Sequence, residues 1–257
     1  MSPTSYQTAL PRVDLETLHH GPSGGQREQD ERAEMARIHP MSLRLFLDSA
    51  DPQHWREWLP SGLFRGVTTN PTLLRRAGLP CSLDTLAALC PQALDLGAQE
   101  LHLQAWGADL LDCGRRLAAL APGRIWVKLP ITRPGAEAAR ALIAEGQAVT
   151  FTACYEPAQV LLAAALGAEY IAPYLGRIND QGRDGHAELA QMQRCLEGVG
   201  SPLRLLVASL RSPADLARLA AEGLDTFTIS AAIAEALFAV EPTSAAALQF
   251  ERDACGD

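Results

Sequence analysis

From residue 43 onward, short runs of β-branched and apolar residues alternate with longer stretches of helical composition, eight times over. The strand runs fall at 43–48, 65–70, 100–104, 124–128, 148–152, 169–174, 204–209 and 226–230. Strands separated by helix-length segments imply parallel βαβ units, and eight such units imply a closed sheet. The pattern therefore predicts a single α/β domain over 41–257, a (β/α)8 barrel of the TIM type. The gaps after the second and seventh strand runs leave room for extra helices or loops, and residues from 244 to about 254 read as an additional C-terminal helix.

Helix punctuation agrees with this reading. Asp51-Pro52 and Ser212-Pro213 each set a capping residue before a proline suited to the first helical turn, and Asp215 adds an acid near the second of these starts. Glu156-Pro157 opens another helix, whose apolar run ends at Gly167, a good terminating residue. Residues 1–40 differ in kind: His19 to Gly25 is a polar, glycine-rich run and 26–37 is dense in charge. Such composition predicts a flexible N-terminal tail, with at most a helical turn or two at 28–37, and it leaves Met41 or Met35 as alternative starts of translation.

In a barrel, alternate strand residues face the interior and the rest face the helices. Counting back from Lys128, the inward set on the fourth strand is Lys128, Trp126 and Arg124, with Ile125 and Val127 outward. The same parity turns Asp48 and Phe46, Asn70 and Thr68, Gln104 and His102, Thr152 and Thr150, and Tyr174 and Tyr170 inward. Leucine, valine, isoleucine and phenylalanine take the outward places. An acid, a lysine, two amides, hydroxyls and a phenol thus converge on the carboxyl ends of different strands, the end that carries the active site in barrel enzymes.

Composition narrows the setting. At 257 residues and 47% hydrophobic the chain is long enough for one large core. A net charge of −8 without basic runs argues against nucleic-acid or membrane-surface binding, so an anionic substrate would need a local basic pocket. The six cysteines are widely and irregularly spaced, with neither a CxxC pair nor histidines placed to complete a zinc site, and read as free thiols of a reducing compartment. No apolar stretch of membrane-spanning length and no signal-peptide pattern occurs, which predicts a cytoplasmic protein.

The chemistry centres on Lys128, set at the end of the apolar run Ile125-Trp126-Val127. Burial there lowers an amine's pKa and frees it to attack carbonyls. Each candidate also has a plain reading: a strand-end lysine reaching solvent, Asp48 as a helix cap, Asn70-Pro71 as a turn, Gln104 and Thr152 as satisfied core polar groups, Tyr174 as packing. Taken together, Leu45 to Ala50, Gly66-Val67-Thr68-Thr69-Asn70-Pro71, Val127-Lys128-Leu129-Pro130, Ala172 to Asp180 and Ala208 to Arg211 resemble the transaldolase and fructose-6-phosphate aldolase family over roughly 43–254.

That resemblance implies a class I aldolase without metal or cofactor. Lys128 would be the Schiff-base lysine and Asp48 its acid and base partner. Gln104, Thr152 and Tyr174 would hold a catalytic water, Thr68 and Asn70 would orient the ketose hydroxyls, and Arg177, Ser209 and Arg211 would grip a phosphate. Gln104 and Tyr174 side with the aldolases, where transaldolases carry Glu and Phe, while Arg211 is more like transaldolases. The resemblance further implies a sugar-phosphate substrate and a homo-oligomer packed through the terminal helix. A silent sugar-phosphate-binding barrel is the reading from another class.

Overall fold

The computed structural model describes residues 43–256, so the expectations for the N-terminal tail lie outside the described residues. Among the described residues eight parallel strands occur at the expected places: β1 Arg44–Asp48, β2 Gly66–Thr68, β3 Glu100–Gln104, β4 Ile125–Pro130, β5 Val149–Cys154, β6 Tyr170–Pro173, β7 Arg204–Leu205 and β8 Thr226–Ile229. Their order is β7-β6-β5-β4-β3-β2-β1-β8, each neighbour pair parallel. The seam between β7 and β8 closes through Val207, whose N–H donates to Thr226 O (2.9 Å) and whose carbonyl accepts from Thr228 N (2.9 Å). The barrel fold is thus as the alternation of patterns predicts.

Among the described residues the helices are α1 Pro52–Trp58, α2 Pro71–Arg76, α3 Leu83–Asp95, α4 Leu110–Ala118, α5 Arg133–Ala144, α6 Pro157–Leu166, α7 Leu175–Asp180, α8 Gly185–Gly198, α9 Pro213–Ala221, α10 Ala231–Phe238 and α11 Glu241–Cys255. Asp51 Oδ1 accepts from Gln53 N (2.8 Å) to start α1. Reciprocal capping boxes start α6 at Glu156 and Gln159, and α9 at Ser212 and Asp215. Gly167 ends α6 at φ 76°, a conformation that costs a residue without Cβ little. The gap after β2 holds two helices as expected. The one after β7 holds only α9, and the extra helix instead follows β6 as α7, where the run Leu175 to Asp180 helps build the mouth.

Strand parity sorts the side chains into two cores. Outward residues such as Leu47, Leu103, Val127, Leu129, Phe151 and Ile171 are buried against the helices. A separate inner cluster holds Phe46, Tyr170, Ala172, Leu206 and Ala208, with Trp126 and Tyr174 against it. Arg124 departs from the parity count: it precedes β4 at the amino-terminal rim, where its guanidinium donates to Gln99 O (2.8 Å) and Ala98 O (2.5 Å).

The barrel floor is polar but paired. Glu100, only 1% exposed, accepts from Arg65 and from Tyr170 Oη (2.9 Å) and lies 3.3 Å from His102 Nε2. Burial pushes the Glu100 carboxyl up, but hydrogen bonds from His102 and Arg65 outweigh it and hold the group below its ordinary value. Trp126 Nε1 donates to Glu169 Oε2 (2.6 Å), which closes the same layer. No single helix among the described residues is long and apolar enough to cross a membrane.

Candidate active site

Lys128 stands near the carboxyl end of β4, 4% exposed, with Gln104 beside it on β3 and Thr150 on β5 in the sheet register. Its Nζ donates to the carbonyl of Thr69 at 3.2 Å, and among the described residues no carboxylate forms an ion pair with it. Burial drives the amine's pKa below the ordinary 10.5, and the charge of Asp48 opposes that shift only in part. A desolvated amine with one neutral acceptor keeps its lone pair for chemistry. Lys128 is also the only lysine in the chain; every other long cationic side chain is arginine. Sequence reading could have used that count, since arginine can replace lysine at a charge but not where a free amine is needed.

Asp48 ends β1. Its Oδ1 accepts from Thr68 Oγ1 at 2.6 Å, which ties the first two strands together at the mouth. Asn70 is the N-cap of α2: its Oδ1 accepts from Leu73 N (3.0 Å), with Pro71 in the first helical turn. With the oxygen so used, the amide N–H donors of Asn70 remain for a ligand. The turn reading of Asn70-Pro71 and the ligand reading are therefore compatible.

On the opposite wall, Thr152 Oγ1 and Tyr174 Oη lie 2.7 Å apart. Tyr174 also stacks under Arg177, whose guanidinium carbon sits 4.6 Å from the ring centroid, and Arg177 Nη1 reaches Tyr155 Oη at 3.4 Å. Arg211 pairs with Asp180 (2.7 Å). A Cβ at Gly176 would collide with Arg211 Nε and the carbonyl of Ser209, so only glycine lets α7 pass this close.

These walls enclose a cavity of about 320 Å³ lined by Asp48, Asn70, Lys128, Tyr174, Arg177, Ser209 and Arg211 together with residues the sequence did not single out, notably Arg76 and Ser230. Arg76 ends a helix and reads in sequence as ordinary surface charge, and Ser230 is the N-cap of α10. Of the expected site residues, seven line this cavity directly. Thr68 and Thr152 sit below it as partners of Asp48 and Tyr174, and Gln104 flanks Lys128 on β3.

No thiol competes with the amine as nucleophile in these walls. Cys154, next to the mouth, is buried and its pKa is pushed up to about 12, and burial likewise raises Cys90 to about 11. Among the described residues two non-glycine residues adopt left-handed backbone: Ser209 at φ 60°, which lines the cavity, and Ala153 at φ 58°, directly after Thr152.

Comparisons with known proteins follow the same line. The profile of the Transaldolase/Fructose-6-phosphate aldolase family matches residues 45–255. A probable transaldolase of Caulobacter sp. (strain K31) is 35% identical over 214 residues, covering 83% of this chain and 97% of its own. One from Caulobacter vibrioides is 35% identical over 212 residues, covering 82% and 96%. Another from Rhodospirillum centenum is 34% identical over 213 residues, covering 82% and 90%. A solved structure of thiamine phosphate pyrophosphorylase from Pyrococcus furiosus aligns with TM-score 0.53 at 14% identity, over 74% of this chain and 86% of that one, a likeness of fold alone.

Replacing Lys128 by Met should raise thermal stability, by roughly 1–4 kcal/mol, since a buried polar amine gives way to an apolar side chain of similar length. The sign of the pH dependence follows from the lowered pKa. Between the folded-state value and about 10.5 the unfolded chain holds the extra proton, so wild-type stability rises with pH across that window. The gap between Lys128→Met and wild type should therefore shrink as pH climbs from neutrality toward 10. A variant less stable than wild type, or a gap that widens, contradicts the desolvation account; denaturant melts at several pH values measure both.

Proposed function

This chain belongs to the transaldolase/fructose-6-phosphate aldolase family, and from that premise we propose that it acts as a Schiff-base aldolase on the C3–C4 bond of a ketose phosphate. The observation that carries the proposal is the buried amine of Lys128, in no ion pair among the described residues, in a cavity it shares with Asp48 and three arginines. Its Nζ adds to the C2 carbonyl and water leaves, giving an iminium. A base removes the C4 hydroxyl proton, the C3–C4 electrons flow into the iminium, and an aldehyde departs from the resulting enamine. Protonation at C3 and hydrolysis then release the three-carbon ketone and restore the amine.

In this reading Asp48 exchanges protons with the iminium side of the substrate, supported by its sharing the cavity with Lys128, and Thr68 donates a hydrogen bond to its carboxylate. The paired hydroxyls of Thr152 and Tyr174, with Gln104 nearby, suit a bound water that delivers the proton to the enamine. Asn70 offers donors to ketose hydroxyls. Arg177, Ser209 and Arg211 line the same cavity, and guanidinium forks match the oxygens of a phosphate.

Dihydroxyacetone release, the reaction of a fructose 6-phosphate aldolase, is favoured by Gln104 and Tyr174. A second reading, transfer of the dihydroxyacetone unit between sugar phosphates, is favoured by Arg211 and by the names of the relatives. We also infer a homo-oligomer through α11, which buries none of its residues and leaves Leu248 and Phe250 on the surface, with Phe238 and Val240 just before them.

Incubation with fructose 6-phosphate and borohydride should yield a mass adduct on the only lysine, Lys128, and absence of that adduct refutes the Schiff-base reading. Tyr174→Phe keeps the ring over which Arg177 stacks but removes the hydroxyl. It should slow release of free dihydroxyacetone by roughly tenfold to a thousandfold. The enamine then lives longer, so the ratio of transfer to release should rise when erythrose 4-phosphate is present; an unchanged ratio leaves Tyr174 a packing residue.

Arg177→Ala and Arg211→Ala should each raise the Michaelis constant for glyceraldehyde 3-phosphate by about tenfold or more while sparing glyceraldehyde, because a lost charge-assisted contact is worth about 1.5–3 kcal/mol. Equal effects on both aldehydes would take these arginines out of a phosphate site. For the oligomer, light scattering should give a multiple of the 27.6 kDa chain mass. Leu248→Glu combined with Phe250→Glu should reduce it, and an unaltered multiple would place the interface elsewhere.

A further inference from the structure

Thr228 does not belong to any motif discussed above, yet it touches the site from below. β8 turns it into the barrel interior, 3% exposed, where its register partner on β1 is Phe46, two residues before Asp48. β2 and β8 flank β1, so Thr68 and Thr228 meet across the interior face of that strand. Thr68 Oγ1 lies 2.6 Å from Asp48 Oδ1 and also 2.6 Å from Thr228 Oγ1.

A hydroxyl carries one proton, and that requirement gives the chain a direction. Thr68 Oγ1 donates to Asp48 Oδ1 and so spends its one proton there. The contact between the two threonines must then be one in which Thr228 donates to the Thr68 oxygen. The result is a relay of two hydroxyls ending on the carboxylate, with both threonines sealed from water. Without the donor at its far end, the Thr68 oxygen would lack a partner in a dry interior, and the hydrogen bond to Asp48 would lose the polarisation that a chain supplies.

We propose that Thr228 is a positioning residue for Asp48, acting through Thr68, so that β8 takes part in the reaction without touching the substrate. The proposal rests on the aldolase reading above. It assigns to Thr228 its hydroxyl, rather than its bulk, as the functional group, and this separates the two roles a buried threonine can have.

The test uses variants that pull those roles apart. Thr228→Val keeps shape and volume but removes the hydroxyl; Thr228→Ser keeps the hydroxyl and drops a methyl group. If the relay operates, Val lowers kcat by roughly tenfold with the Michaelis constant little changed, as expected for loss of one orienting contact, while Ser stays within about twofold of wild type. Both variants should lose some thermal stability, Val by leaving the Thr68 oxygen without its donor and Ser by opening a methyl-sized gap, so the two roles separate in kcat, which only Val should lower. In the Thr68→Val background, adding Thr228→Val should cost nothing more, because the path through Thr68 is already cut. Equal losses of kcat in Val and Ser, an unaffected Val variant, or additive losses in the double variant each overturn the proposal. Borohydride trapping on the same wild-type preparation separates the failures: a Lys128 adduct alongside an unaffected Val variant sinks only the Thr228 relay, whereas no adduct in wild type sinks the aldolase reading and this proposal together.

Discussion

The desolvation of one amine is the constraint to which the rest of the molecule is fitted. Lys128 sits where solvent is excluded by the outer leucine, valine and phenylalanine layer and by the aromatic plug of Phe46, Trp126 and Tyr170 beneath it. A charge placed there would be costly unless paired, and the chain does not pair it. The amine has instead a neutral carbonyl acceptor and the charge of Asp48 in the same cavity, which offsets the desolvation only in part, so the arrangement favours the free base.

The barrel interior is thereby divided into two electrostatic halves. On the floor, Glu100, Arg65, His102 and Tyr170 satisfy one another, and Arg44, Glu169 and Trp126 extend the pairing toward the rim. His102, wholly enclosed, is held neutral chiefly by burial and packs edge-on against Phe46 at 4.7 Å. At the mouth one carboxylate, one amine and three arginines share a single cavity. Charges on the floor are paired with one another, whereas at the mouth, among the described residues, only Arg211 has a carboxylate partner, Asp180, and the cavity gathers cationic groups in a chain of net charge −8.

Local strain is spent at the mouth as well. Ala153 takes a left-handed conformation at the register shift of β5, between Phe151 and Cys154, immediately after Thr152. Ser209 does the same beyond β7, and its carbonyl accepts from Gly176 N at 2.9 Å. Each such residue costs on the order of 1–3 kcal/mol and persists only where surrounding contacts over-determine it. Here those contacts include the start of α7, which carries Arg177, so the strained residues and the close-packed Gly176 together fix the wall that holds Tyr174, Arg177 and Arg211.

Barrel, strand positions and facing were legible in the sequence because two short-range rules govern them. Parallel strands alternate with helices, and side chains alternate across a strand, so Lys128, Asp48, Asn70, Gln104 and Thr152 could be turned inward by counting alone. The shortening of β7 to Arg204–Leu205, the placement of α7 after β6, and the rim position of Arg124 were not legible, since they depend on how the closing seam and the helix layer fit. Nor was the Thr228 relay, in which two threonines 160 residues apart meet across a third strand. Periodicity tells which face a residue occupies, but only the closed, staggered barrel decides which inward residues reach one another. For the same reason the sequence could nominate a lysine, and tertiary burial alone could make it an amine.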